Sequence, residues 1–170
     1  MRVASKCAAV LLVALMISEH AVLAIGSKDA AYFGGTLSVF GSPKEPVEGR
    51  LDTSNEQSLV FGSFDKEFAG KSFSIPYKNV VDLEYGQKAG RRVGAAAATT
   101  VLLGPIGLLS LFSKKRKHFL TIGFKDDGGK DQVAVLELGK DIVRTTLAIV
   151  QTRSGRQIEY QDDEARKSAK

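Results

Sequence analysis

The sequence predicts a mainly β domain: a small curled antiparallel sheet with a C-terminal helix and an inserted apolar helical hairpin. Three observations carry this. Apolar and polar residues alternate through 71–77 and again through 118–124, the period of a half-buried strand. Asp126-Asp127-Gly128-Gly129 then marks a tight turn before a second strand over 132–138, giving a hairpin. From 139 to 153 the apolar spacing changes to threes and fours, the period of an amphipathic helix.

The first 24 residues read as a signal peptide, with an uncleaved N-terminal anchor as the alternative. Arg2 and Lys6 give a basic start, 7–17 an apolar core, and Val22 and Ala24 the small residues that fit cleavage before Ile25. Cleavage leaves 146 of the 170 residues, enough for one domain, and removes the only cysteine, Cys7. A mature chain without cysteine excludes thiolate metal sites and cysteine nucleophiles. Its formal charge falls from +5 to +4. An exported chain of this kind belongs in the periplasm or cell envelope. Its basic partner surface is an anionic lipid membrane, not nucleic acid.

In chain order, 32–40 forms a short strand broken by Gly34-Gly35, and 41–49 is a loop with two prolines. A polar turn at Thr53-Ser54-Asn55 precedes the strand at 58–64. The strand at 71–77 puts Phe73, Ile75 and Tyr77 on one face, and Pro76 assigns it to a sheet edge or end. A bend at Lys78-Asn79 leads into a strand carrying Val80, Val81, Leu83 and Tyr85. Leu120, Ile122 and Phe124 share one face of the next strand. Ile142, Val143, Thr146, Leu147, Ile149 and Val150 form the helix stripe, which Ser154-Gly155 ends, with a strand as the alternative that its β-branched content leaves open. A short extended piece at 157–160 and a solvated polar tail complete the chain. Such a sheet, curled on itself, hides its edges and buries one face.

The strand order and the ending KHFLTIGFKDDGGKDQVAVLELGKDIVRTTLAIVQTRSG resemble a bacterial pleckstrin-homology-like or GRAM-like domain over roughly 32–155. The resemblance implies a barrel of seven strands with a C-terminal helix, a fold that docks on lipid headgroups or protein partners. The apolar insertion departs from that pattern.

That insertion, VGAAAATTVLLGPIGLLSLF at 93–112, is 20 residues without charge, long enough for one membrane-spanning helix. A single span, however, would put the strands before and after it on opposite sides, and neither half closes a sheet alone. Gly104, Pro105 and Gly107 instead suit a turn between two short arms, with both ends on one side. Arg91, Arg92, Lys114, Lys115, Arg116 and Lys117 would then meet membrane headgroups. A third use is packing of the small-residue arms against the domain, an oligomer or another protein partner.

Chemistry is sparse. His118 is the only histidine outside the signal segment and reads as a strand-start side chain. Asp126 and Asp127 are explained by the turn and lack the spacing of a calcium loop. No Ser elbow, phosphate-binding loop or dinucleotide fingerprint is present. The expectation is therefore a non-catalytic, membrane-attached module without cofactor or metal. The alternative is an interaction or scaffold subunit.

Overall fold

The computed structural model describes residues 26–41, 43–87 and 117–169. The expected signal segment 1–24, the insert 93–112 with the turn expected at Gly104, Pro105 and Gly107, and five of the six flanking basic residues lie outside them.

The protein is mainly β. Strands β1 (Gly26–Gly35), β2 (Val47–Asp52), β3 (Ser58–Ser63), β4 (Ser72–Pro76), β5 (Val80–Gly86), β6 (His118–Lys125), β7 (Asp131–Leu138) and β8 (Ile158–Tyr160) form one sheet. Its order is β4-β3-β2-β1-β7-β6-β5-β8. Helix α1 (Val143–Ser154) and the short helix α2 (Asp163–Ser168) follow the strands, separated by β8. The ladder stays open between β4 and β8, so the curled sheet is the correct alternative and the closed barrel is not. Pro76 ends β4, the edge strand, where its missing N–H breaks no ladder bond.

Curling brings both wings onto one core. Leu59, Phe61 and Ile75 from one wing share it with Leu83, Leu120, Ile122 and Ile158 from the other. Tyr32, Phe40, Phe61 and Phe73 add interlocking rings with centroids 5.2 to 6.5 Å apart. Helix α1 closes the open side with Val143, Leu147 and Val150, as its stripe predicts. It stops at Gly155, whose φ of 67° favours a residue without Cβ. Arg153 fixes that end to the β2–β3 turn by donating to the carbonyls of Thr53 and Asn55.

Four expectations need correction. β1 begins at Gly26 and ends at Gly35, where a Cβ would meet the Val133 carbonyl, so 36–40 is not strand. β2 begins at Val47, inside the expected loop. β8 pairs with β5 in parallel, so the sheet is mixed. The closing residues do not form a solvated tail: Asp162 caps α2, accepting from the Ala165 N–H at 2.7 Å, and Ala165 is fully buried. Asp163 and Glu164 in its first turn and Arg166 and Lys167 in its last complement the helix dipole.

A further departure concerns the faces of the sheet. β6 and β7 do not bury alternate residues. Phe119 to Phe124 and Val133 to Leu136 are buried without a break. Strands covered on both sides read as continuous apolar runs, and VAVL in β7 is one.

Candidate functional site

Strands β5 and β6 flank the insert in sequence and lie side by side in the sheet. Tyr85 stands opposite Leu120 and Gly86 opposite Phe119. The chain therefore leaves the sheet after Gly86 and rejoins it at His118 at the same end. The last residue of β7, Leu138, pairs with His118 there, and the turn into α1 follows. One end of the sheet thus gathers the root of the insert, the start of α1 and the end of α2.

Of the six predicted basic contacts, only Lys117 is among the described residues. Its ammonium donates to Glu137 Oε2 at 2.8 Å and lies 5.1 Å from the Phe33 ring centroid. Both partners of the ion pair remain partly exposed, so the pair contributes about 0–1 kcal/mol. Lys117 is committed to the sheet rather than projecting freely. Arg91, Arg92, Lys114, Lys115 and Arg116 lie outside the described residues.

His118 is not a loose surface side chain. Its Nδ1 lies 2.5 Å from the Tyr85 hydroxyl, and the two rings are nearly parallel at 6.1 Å. The Tyr85 hydroxyl also lies 3.3 Å from Ser168 Oγ, which donates to the Ala165 carbonyl at 2.9 Å. The His118 tautomer sets the direction of the His118–Tyr85 hydrogen bond, and either hydroxyl can donate in the Tyr85–Ser168 contact. Burial first, and then the Lys140 charge, lower the His118 pKa below 6.5, with Glu137 opposing. Burial raises that of Tyr85 above 10. The chain is neutral at pH 7 and ties β5, β6 and α2 together.

Beside it opens a cavity of about 660 Å³, lined by Gln87, His118, Lys140, Asp141, Arg144 and Ser168 among others. Lys140 and Arg144 are exposed cations, and among the described lining residues Asp141 is the one acidic side chain. The first turn of α1 contains no acidic residue, and Arg144 occupies it instead. The positive end of the helix dipole thus adds to the two cations, and the mouth favours anions. A second cavity of about 430 Å³ lies near Lys117, with Glu45, Glu48 and Glu137 in its wall. It is acidic by comparison. Phe64, at its rim, is 54% exposed and carries Arg50 over its ring at 5.5 Å.

Among the described residues no three of His, Cys, Asp or Glu converge as a metal site. The Asp126 carboxylate serves the turn: the Gly128 and Lys130 N–H groups donate to its Oδ1. Among the described residues no helix is long and apolar enough to cross a membrane.

Tyr85, Ser168, Lys140 and Arg144 were not legible as a group from sequence. Lys140-Asp141 reads as an ordinary turn, and only the parallel strand β8 brings Ser168 back to Tyr85. The signal that was available is Arg144 near the start of a helix, where acids are preferred.

No protein-family model matches the chain, and no curated protein matches it. Among solved structures it is similar to the hSac2 domain from human phosphoinositide phosphatase Sac2, with a TM-score of 0.52 and 13% identity. The match covers 95% of this chain and 92% of that one. At that identity the likeness shows a shared fold alone.

Proposed function

We propose that the protein is a non-catalytic, exported module that attaches to an anionic membrane surface through the insert 93–112, with its basic flanks on the headgroups. One observation supports this most: the strands on either side of the insert in sequence are paired neighbours, and the described chain before and after it meets one end of the sheet, beside the cationic mouth formed by Lys140 and Arg144. A single span would require Gly86 and Phe119 to lie on opposite sides of a bilayer, yet they are paired neighbours. A same-side insertion leaves β5 and β6 together. Apolar burial and basic attraction then reinforce each other, each basic group near the surface contributing about 1 kcal/mol. The pleckstrin-homology-like resemblance belongs to this proposal, as does an envelope location. Only the fold is shared with the human neighbour.

Co-sedimentation with vesicles of phosphatidylglycerol and phosphatidylethanolamine tests it. The full chain binds, and binding falls with added salt as the headgroup contribution is screened. Replacing 93–112 by a short Gly/Ser linker abolishes binding while leaving a folded domain. Equal binding by the linker variant would contradict the proposal.

A second reading is a scaffold subunit whose insert packs in an oligomer or against a protein partner. The glycine- and alanine-rich composition of the insert, which permits close helix contact, favours it. A discrete oligomer in lipid-free buffer with no vesicle affinity would select that reading.

A further inference from the structure

The cavity beside His118 draws its walls from three separate parts of the chain. His118 opens β6, Lys140, Asp141 and Arg144 stand around the start of α1, and Ser168 ends α2. Lys117 and Lys125 are neutralised by carboxylates, but neither Lys140 nor Arg144 forms an ion pair among the described residues. The His118 ring uses Nδ1 on the Tyr85 hydroxyl, which leaves Nε2 for a ligand. In the tautomer with its hydrogen on Nε2, Tyr85 donates to Nδ1 and the ring donates to an anion. Ile142 at the head of α1 offers no side-chain cap, so the first-turn N–H groups add to the same attraction.

We propose that this cavity binds a small phosphate monoester, with Lys140 and Arg144 on the phosphate and His118 donating to it. Charge selects the phosphate. A monoester carries about −1.5 to −2 at pH 7, which matches two unpaired cations, whereas a carboxylate or a phosphodiester matches only one. Size selects something larger than the bare ion. The cavity, about 660 Å³, falls in the range of small-molecule sites, roughly 300–1,000 Å³. Polarity selects the body that carries the phosphate. Val143 is the one apolar side chain among the described lining residues, so the body is polar, and Asp141 and Thr145 can bond its hydroxyl groups. The cavity near Lys117, walled by Glu45, Glu48 and Glu137, would repel the same ligand.

The site is formed by described residues and does not rest on membrane attachment through the insert. Two sources carry this chemistry: a soluble polyol phosphate, and the monoester headgroup of phosphatidic acid.

Calorimetric titration of the full-length chain with glycerol 3-phosphate at pH 7.5, with acetate as the control anion, tests the site. The phosphate is expected to bind more tightly than acetate, and Lys140→Gln and Arg144→Gln are each expected to weaken it about tenfold. Both side chains are exposed, so the variants keep the fold. Lys130→Gln, which removes an exposed cation from the β6–β7 turn, should leave the affinity unchanged. The His118 imidazole resonances, identified by their absence in His118→Gln, should shift as the phosphate is added. Vesicles separate the two sources. Capture on phosphatidic acid over phosphatidylglycerol, lost when both cations are replaced, assigns the headgroup, and tight glycerol 3-phosphate binding without that preference assigns the soluble ester. Binding of neither probe, equal affinity for acetate, or undiminished binding by both variants would overturn the proposal. So would capture of a polyglutamate peptide through the same two cations in preference to either phosphate.

Discussion

β3 and β7 are both antiparallel strands with two neighbours, and both contribute to the same core, but they bury different fractions of themselves. In β3, Leu59 and Phe61 are buried, while Ser58, Val60 and Gly62 are half-exposed. In β7, Val133, Ala134, Val135 and Leu136 are buried in succession. The difference lies wholly on the face away from the core. In the β2–β4 wing that face meets solvent. In the centre of the sheet it is buried as well. The same sheet is a half-buried surface on one wing and buried on both faces at its centre.

Substitutions can break or sharpen this contrast. On the core side the two strands should behave alike. Leu59→Ala and Leu136→Ala are each expected to cost about 2–5 kcal/mol in urea denaturation, since both empty a closed site. A much smaller loss at either would show that the two wings do not share one core. On the other side they should differ. Val60→Thr keeps the β-branched shape and costs under about 0.5 kcal/mol at a half-exposed position. Val135→Thr places a hydroxyl where no water reaches and costs about 1–3 kcal/mol. Equal small losses would remove the contrast.

The smallest effect concerns pH at the root of the insert. The folded His118 pKa lies below 6.5, the ordinary value. Below pH 6.5 the unfolded chain takes up a proton that the folded chain still refuses, so stability present above that pH declines as pH falls through the window beneath it. His118→Gln should flatten that slope in denaturation midpoints measured between pH 7.5 and 5. An unchanged slope would place the titration elsewhere.

Much of the fold was legible because period and turn chemistry agree locally. The β6–β7 hairpin shows this, with Asp126 bonding its own turn and Leu120, Ile122 and Phe124 on the core face. The edge position of β4 follows from Pro76 alone. The failures have physical causes too. β1 starts in Gly26-Ser27-Lys28-Asp29, which carries no apolar alternation, and α2 has a single buried residue, Ala165. The second face was hidden because Thr121 and Gly123 occupy positions that read as polar. Gly123 is in fact a seat for the Asp82 carboxylate, which a Cβ would displace. The cationic cavity depends on the start of α1 and the end of α2 both lining one site, which no local pattern encodes.

Membrane attachment through the insert is measured most directly by vesicle co-sedimentation. The full chain and a variant with 93–112 replaced by a Gly/Ser linker are compared on vesicles of phosphatidylglycerol and phosphatidylethanolamine at low and high salt. Attachment through the insert predicts binding by the full chain that falls with added salt, and none by the variant. Equal binding by both would contradict it.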